Sequence, residues 1–377
     1  MIKFNVPFLT GDEQTCIEDA LKRSTLSGDG HYTHLCHEWL KTTLGTQAAL
    51  LTHSCTAALE MAAILLDLQP GDEVILPSFT FVSSANAFVL RGAVPVYVDV
   101  RPDTFNIDEA LIEGAVTPRT RAILVVHYAG VHCEMDTIMD IARRHNLYVI
   151  EDAAQALLSK YKDKYLGTIG DIGCLSFHAT KNVISGEGGA ILLNNQDLIC
   201  RAEIIREKGT NRKQFFRGET DKYTWVDIGS SYLPSELIAA FLYPQLLNAE
   251  RITARRRQAW DCYYQALIKS YFALEHLSLP SSIKSIPHNA HIFAVTVLDP
   301  AVRDLLLTHL KQKEIVATFH YVPLHSSIAG MRFGRVGSSM KVTDQVSNSL
   351  VRLPMWVGVD EHVDHIVEAL GEFFSEQ

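Results

Sequence analysis

Between residues 48 and 195, short apolar runs recur with stretches of helix length between them: AALLTH, DEVILP, VPVYVDV, RAILVVH, LYVIED, GCLSFH and GAILLN. Each is rich in aliphatic and β-branched residues and is bounded by polar or turn-forming ones, which predicts a strand. Strands alternating with helices predict an α/β layer built on a mostly parallel sheet. Between the first two runs, CTAALEMAAILLDL has helical composition and stops at Pro70-Gly71. His53-Ser54 precedes it, so strand, polar turn and helix N-terminus follow in order. A helix start of this kind exposes free backbone N–H groups and favours an anion. Ordinary N-capping by Ser54 or Thr56 is the alternative.

After residue 235 the texture changes to long helical stretches, ELIAAFLYPQLLNAERITARRRQAWDCYYQAL, followed by a second αβ pattern with HIFAVTVL as a strand and RDLLLTHLKQK as a helix. This predicts two domains: residues 1–245, a large α/β domain with an N-terminal arm, and residues 246–377, a smaller C-terminal α/β domain. No repeat of solenoid period and no low-complexity segment interrupts them.

Composition narrows the classes. Of the 377 residues, 47% are hydrophobic and 20% charged, as in globular proteins with a large core. A net charge of −9 argues against a nucleic-acid partner. The densest basic run, Arg255 to Arg257, lies in a helical stretch and reads as a solvated face. Seven scattered cysteines without CxxC spacing suggest neither a disulfide framework nor a zinc ribbon. His31, His34, Cys36 and His37 crowd into HYTHLCHEW, but a helix would set them on different faces, and no metal is expected. The N-terminal stretch lacks the apolar core of a secretory signal, and no window has the apolar length of a membrane span. A cytoplasmic protein is expected.

In an α/β sheet, ligands collect at the carboxyl ends of the strands. Three unusual polar positions fall there: Asp152 at the end of LYVIED, Ser176 within GCLSFH, and Lys181 just beyond, before the glycines of GEGG (186 to 189). One connection and one strand separate Asp152 from Lys181, which brings both to one sheet edge. A lysine in such a place has its pKa lowered by desolvation or neighbouring charge, and a neutral amine attacks carbonyls. The cofactor that uses such a lysine is pyridoxal 5′-phosphate, with an acidic partner for its ring nitrogen. Asp152 can be that partner, and Ser54, Cys55, Thr56 and Ser176 can hold the phosphate. A structural Asp152–Lys181 ion pair is the alternative.

Taken together, SCTAALE (54 to 60), PSFTFVSSANA (77 to 87), EDAAQA (151 to 156) and SFHATKNVISGEGG (176 to 189) resemble the DegT/DnrJ/EryC1 sugar aminotransferase family across essentially the whole chain. The resemblance implies an aspartate-aminotransferase-like (fold type I) architecture and transamination of a nucleotide-linked keto-sugar with L-glutamate. It assigns Lys181 as the lysine that bonds the cofactor and Asp152 as the partner of the ring nitrogen. Gln155 lies near the ring hydroxyl, Phe81 on the ring face, and Cys55, Thr56 and Ser176 at the phosphate. It also implies a homodimer or larger assembly with shared active sites, to which the loop at Gly229 to Tyr232 contributes Ser231. Many members have Gly where this chain has Cys55 and Asn where it has Ser231; dehydrating members have His where it has Lys181. Residues 205 to 237 are similar to the branch that aminates C4 of dTDP-linked 4-keto-6-deoxyglucose for enterobacterial common antigen. Lys208 and Arg212 are candidate nucleotide-phosphate contacts there, with solvated loop cations as the alternative. His320 and His325, in FHYVPLH, are candidate sugar contacts, with structural histidines as the alternative. Amination at C3, or a non-catalytic cofactor-binding protein, remain rival readings.

Overall fold

The structure is a computed structural model that describes residues 1–375. The predicted apolar runs fold as β1 (Ala48–Thr52), β2 (Glu73–Pro77), β3 (Val94–Val98), β4 (Thr120–Val126) and β5 (Tyr148–Asp152). A short hairpin, β6 (Lys160–Tyr161) and β7 (Lys164–Tyr165), follows, then β8 (Ile172–Ser176) and β9 (Gly189–Leu193). The later strands are β10 (Leu277–Ser278), β11 (Phe293–Val297), β12 (Arg335–Val336) and β13 (Leu350–Leu353).

The large sheet has the order β1-β9-β8-β5-β4-β2-β3-β12. Strand β9 runs antiparallel to both neighbours, and every other adjacent pair is parallel. Helices cover both faces, so its strands read as continuous apolar runs rather than alternating ones; β2 and β9 are buried along their whole length. The helix Cys55–Leu65 is apolar on nearly every side because it is enclosed, with Ala58, Met61, Ala62 and Ala63 all buried.

A second core begins with the helix Ala249–Ile268. It packs Trp260, Tyr263, Phe293 and Ile366 together with the sheet β10-β11-β13 and the helix Val363–Ser375. Phe293 is its hub, with ring centroids 4.8 Å from Tyr263 and 5.2 Å from Trp260. The preceding helix, Glu236–Leu247, packs instead with Cys36, Leu40 and Ala20 in the large unit.

Two segments cross the expected division. Strand β12, late in the chain, is the edge of the large sheet. Its Arg335 donates to the buried Glu73 carboxylate at 3.0 and 2.7 Å. Burial opposes ionisation of Glu73, yet Arg335, Thr117 and Arg119 hold its carboxyl down to about 2. At the other end of the chain, Ile2 bridges Ile315, so the first residues lie on the smaller unit. The basic run also differs from expectation. Arg255 and Arg257 are exposed, but Arg256 is buried because it donates to the carbonyls of Ala290, His291 and Met355 at 3.1, 2.9 and 3.1 Å. Among the described residues, no helix is long and apolar enough to cross a membrane.

Candidate active site

The carboxyl ends of β5 and β8, and the turn from β1 into the helix Cys55–Leu65, open into a cavity of about 440 Å³. Strand register builds this edge: Thr52 and Ser176 flank Gly189 across β9, and Asp152 lies opposite Cys174. Gly189 has a steric reason to be glycine. A Cβ there would stand 2.4 Å from the Ser54 carbonyl carbon and 2.5 Å from Cys55 N, where strand and helix start touch.

At this end of the cavity the helix N-terminus is presented. Ser54 caps it, its Oγ accepting from Ala57 N at 3.1 Å. The N–H groups of the first turn have no helical carbonyl to bond, so they can receive an anion. Thr56 does not cap; its Oγ1 is 2.8 Å from Ser83 Oγ, and both side chains line the cavity with Ser54, Cys55 and Ser176.

Asp152 ends β5 with its side chain buried. Its Oδ2 accepts from Ser84 Oγ at 2.7 Å and its Oδ1 from Ala154 N at 3.2 Å, and no ion pair reaches it among the described residues. Burial pushes its carboxyl above the usual range, against the hydrogen bonds from Ser84 and Ala154 and the charges of Lys181 and His127. Lys181 lines the same cavity, and among the described residues its amine makes no hydrogen bond or ion pair. Desolvation lowers its pKa, opposed by Cys55 and Asp152 and reinforced by Arg352. The structural Asp152–Lys181 ion pair, the alternative to a cofactor site, is therefore not formed among the described residues.

Gln155 is fixed at both ends of its amide: Oε1 accepts from Ala129 N at 2.7 Å and Nε2 donates to Tyr321 Oη at 3.0 Å. Phe81 stands beside the cavity with 58% of its surface exposed. His320 enters from the smaller unit. It contacts Arg352 Nη1, lies 3.2 Å from Tyr128 Oη through Nδ1, and stacks on Tyr321 with ring centroids 3.9 Å apart. Burial, then the Arg352 and Lys181 cations, push its pKa down to about 2, so it is neutral.

Four candidates lie outside the cavity lining. His325 Nδ1 is 2.8 Å from Ser78 Oγ, tying two loops together. Ser231 is exposed and bridges Glu207 through the backbone. Lys208 is exposed, and Arg212 pairs with Glu207 at 3.3 Å. In the histidine-rich helix, His37 Nε2 accepts from Leu51 N at 2.8 Å, and no three metal-ligating side chains converge among the described residues.

Sequence reasoning missed Ser84, Tyr321, His291 and Arg352, all of which line the cavity. Ser84 lies within the quoted PSFTFVSSANA stretch, where a pair of serines opening a helix was the available signal. Arg352 is the one polar residue of β13, which was also visible.

The donor set can be tested against pyridoxal phosphate. An amine without a partner suits an aldehyde. A buried carboxylate lacking a cation suits a protonated ring nitrogen. A helix N-terminus ringed by hydroxyls suits a phosphate, and an exposed aromatic beside the cavity suits a planar ring. The residues present fit the group.

Comparison with known proteins agrees. Residues 7–371 match the model of the DegT/DnrJ/EryC1/StrS aminotransferase family. GDP-perosamine synthase of Caulobacter vibrioides is 30% identical over 98% of this chain and 98% of its own length. Spr1654 of Streptococcus pneumoniae, solved in a PMP form and a PLP form, is 26% identical. It superposes with TM-scores of 0.91 and 0.89, covering 100% of this chain in both forms and 100% and 99% of the solved chains. The Helicobacter pylori aminotransferase PseC, involved in the biosynthesis of pseudoaminic acid, shares the fold with a TM-score of 0.91 at 24% identity, each chain covered 100%. The chain belongs to the DegT/DnrJ/EryC1/StrS aminotransferase family, and its cofactor is pyridoxal phosphate.

Proposed function

We propose that this aminotransferase moves the amino group of L-glutamate to C4 of a nucleotide-linked 4-keto-6-deoxy sugar. The favoured substrate is dTDP-4-keto-6-deoxy-D-glucose, and the products are dTDP-4-amino-4,6-dideoxygalactose and 2-oxoglutarate. The carrying observation is that the unpartnered Lys181 amine, the Asp152 carboxylate and the start of the helix Cys55–Leu65 share one cavity. Similarity of residues 205 to 237 to the C4-aminating branch supports the choice of sugar. GDP-perosamine synthase, named for a GDP-linked product, supports a second reading in which the nucleotide is GDP.

When bound, pyridoxal phosphate supplies an aldehyde that exchanges amines and a ring that accepts electrons. Lys181 Nζ is the nucleophile and then the proton carrier. It takes a proton from the α-carbon of the donor and, in the second half of the cycle, returns one at C4 of the sugar. A depressed pKa suits both tasks, because the neutral amine is populated nearer neutrality. Asp152, oriented by Ser84 and Ala154, holds negative charge where a ring nitrogen must stay protonated. Gln155, pinned between Ala129 and Tyr321, presents a fixed edge to the ring hydroxyl. Phe81 offers a flat face beside the cavity. The N–H groups of Cys55 and Thr56, with Ser176, hold the phosphate.

Exposed Phe216, Trp225 and Phe81 support a homodimer or larger assembly, in which Ser231 reaches the cavity of an adjoining copy. Lys208 and Arg212 belong to the same region and are retained as candidate contacts to the nucleotide phosphates.

The test is incubation of the purified holoenzyme and L-glutamate with the dTDP-linked and, separately, the GDP-linked 4-keto sugar, with NMR assignment of the product. A 4-amino sugar from the dTDP substrate is expected. Amination of the GDP sugar alone would move the assignment to the second reading. No amino sugar from either substrate, or an amine at C3, would overturn the proposal.

A further inference from the structure

Two adjacent serines in the first turn of the helix Val82–Val89 serve different partners. Ser83 Oγ meets Thr56 Oγ1 at 2.8 Å, beside the start of the helix Cys55–Leu65, while Ser84 Oγ donates to Asp152 Oδ2 at 2.7 Å. Behind Ser84 stands another hydroxyl. Thr80 Oγ1 lies 2.8 Å from Ser84 Oγ, and among the described residues it makes no other hydrogen bond. Thr80 and Ser84 are 2% and 1% exposed, so both depend on protein partners.

Counting protons gives this chain a direction. A hydroxyl has one proton to give and two lone pairs to receive. When Asp152 is ionised its Oδ2 can only accept, so Ser84 gives its proton there and must accept from Thr80. The order is then Thr80 to Ser84 to Asp152, and every proton has an acceptor. If Oδ2 instead carried a proton and donated it, Ser84 would turn its own proton on Thr80. The Thr80 proton would then be buried without an acceptor among the described residues, and an orphaned buried donor costs more than an ordinary hydrogen bond gains. Protonation at Oδ1 would leave the order intact but make the bond from Ser84 one between neutral groups, about half as strong. The two hydroxyls therefore distinguish the charge states of the acid.

We propose that Thr80 is a positioning residue of the aminotransferase reaction, acting through Ser84 to keep Asp152 in the ionised form that a protonated ring nitrogen requires. This rests on the aminotransferase reading above. Burial is the leading influence on Asp152 and drives it toward the neutral acid, so the chain of hydroxyls works against the strongest opposing force. Thr80 follows β2 and directly precedes Phe81, so one short stretch offers an aromatic face to the cavity and governs the charge of the acid.

The test reads Asp152 directly. Aspartate labelled with carbon-13 at its side-chain carboxyl is built into the apoprotein and followed against pH by NMR, the Asp152 signal being identified by its loss in Asp152→Asn. Thr80→Val keeps the side-chain shape without the hydroxyl. The Asp152 midpoint should rise by about 0.5 to 1 in pH, the equivalent of one buried hydrogen bond. Thr80→Ser should restore it, and Ser84→Ala, which breaks the chain at its inner link, should move it further in the same direction. The other groups that bear on Asp152, which are the Ala154 N–H, Lys181, His127, Cys55, Cys174 and Tyr321, are untouched by these variants. In the holoenzyme, Thr80→Val should lower kcat by about threefold to tenfold at unchanged KM for L-glutamate. Added to Asp152→Asn, which has no charge to hold, it should cost nothing more. A midpoint unmoved by both Thr80→Val and Ser84→Ala, or the same loss of kcat with and without the Asp152 carboxylate, would overturn the proposal. A wild type that does not use glutamate would sink the aminotransferase reading instead, and the titration would still decide whether Thr80 governs Asp152.

Discussion

Glu151 and Asp152 are adjacent carboxylates on β5 that point to opposite faces of the sheet, and their surroundings make them opposites. Glu151 is fully buried and accepts from Gly167, Ile169 and Gly170 N at 2.8, 2.6 and 2.6 Å, with His127 Nε2 at 2.9 Å. Burial works against its ionisation, but His127 and these N–H groups win and hold the carboxyl below its usual range. Asp152 has one hydroxyl and one N–H, and burial wins, raising it. A buried charge with a full set of partners is part of the framework; one with an incomplete set is waiting for a ligand. Arg256 and Arg352 repeat the contrast with the opposite sign of charge.

The comparison breaks most decisively at Lys181. Replacing it with Ala removes both nucleophile and proton carrier, so amino-sugar formation should fall by roughly 10³-fold or more, without loss of thermal stability. A variant retaining a tenth of wild-type turnover, measured by NMR of the product, would show that the proton is carried elsewhere.

The two acids should fail in different assays. Asp152→Asn should lower turnover by roughly 10²-fold or more while the protein stays folded, because the charge that would keep the ring nitrogen protonated is lost. Glu151→Ala strands several buried N–H groups and should lower unfolding free energy by roughly 3–5 kcal/mol, read from denaturant midpoints. If Glu151→Ala were as stable as the wild type, or if Asp152→Asn were fully active, the distinction drawn here would not hold.

Much of this was legible in the sequence, for reasons that also mark its limits. The seven strand segments are continuous apolar runs because a covered parallel sheet demands them, and Lys181 and Asp152 stand at their ends as charges that local structure does not require. What escaped was contributed across long sequence distances. Ser84 bonds Asp152 from another helix, and Arg352 enters from a different core. His320 and His325 looked equivalent in FHYVPLH. Only tertiary packing sends one toward Arg352 and the other to Ser78. The N-cap reading of Ser54 and the anion reading of the same turn proved compatible, since one residue's hydroxyl does the capping while the next N–H groups stay free. Arg256 was misread because a cation between two exposed arginines carries no local sign that three distant carbonyls receive it.

The smallest effect is the most discriminating about Asp152. In the protein without cofactor its carboxyl is raised, so the folded state holds its proton to higher pH than the unfolded chain does. Below the ordinary carboxylate range both states are protonated and the burial penalty on the ionised acid is absent. As pH rises from the ordinary carboxylate range toward the raised value, the unfolded chain releases its proton while the folded carboxyl still holds it, so the folded state loses stability across that window. Asn carries no such charge. Apo Asp152→Asn should therefore unfold at higher denaturant than the apo wild type near neutral pH, and the gap should close as pH is lowered toward the carboxylate range. Adding pyridoxal phosphate should reverse the order, because the wild-type carboxylate then gains its cation and only the wild type receives the full binding stabilisation. An Asn variant less stable than the wild type at every pH would mean that Asp152, like Glu151, serves the fold before it serves the ligand.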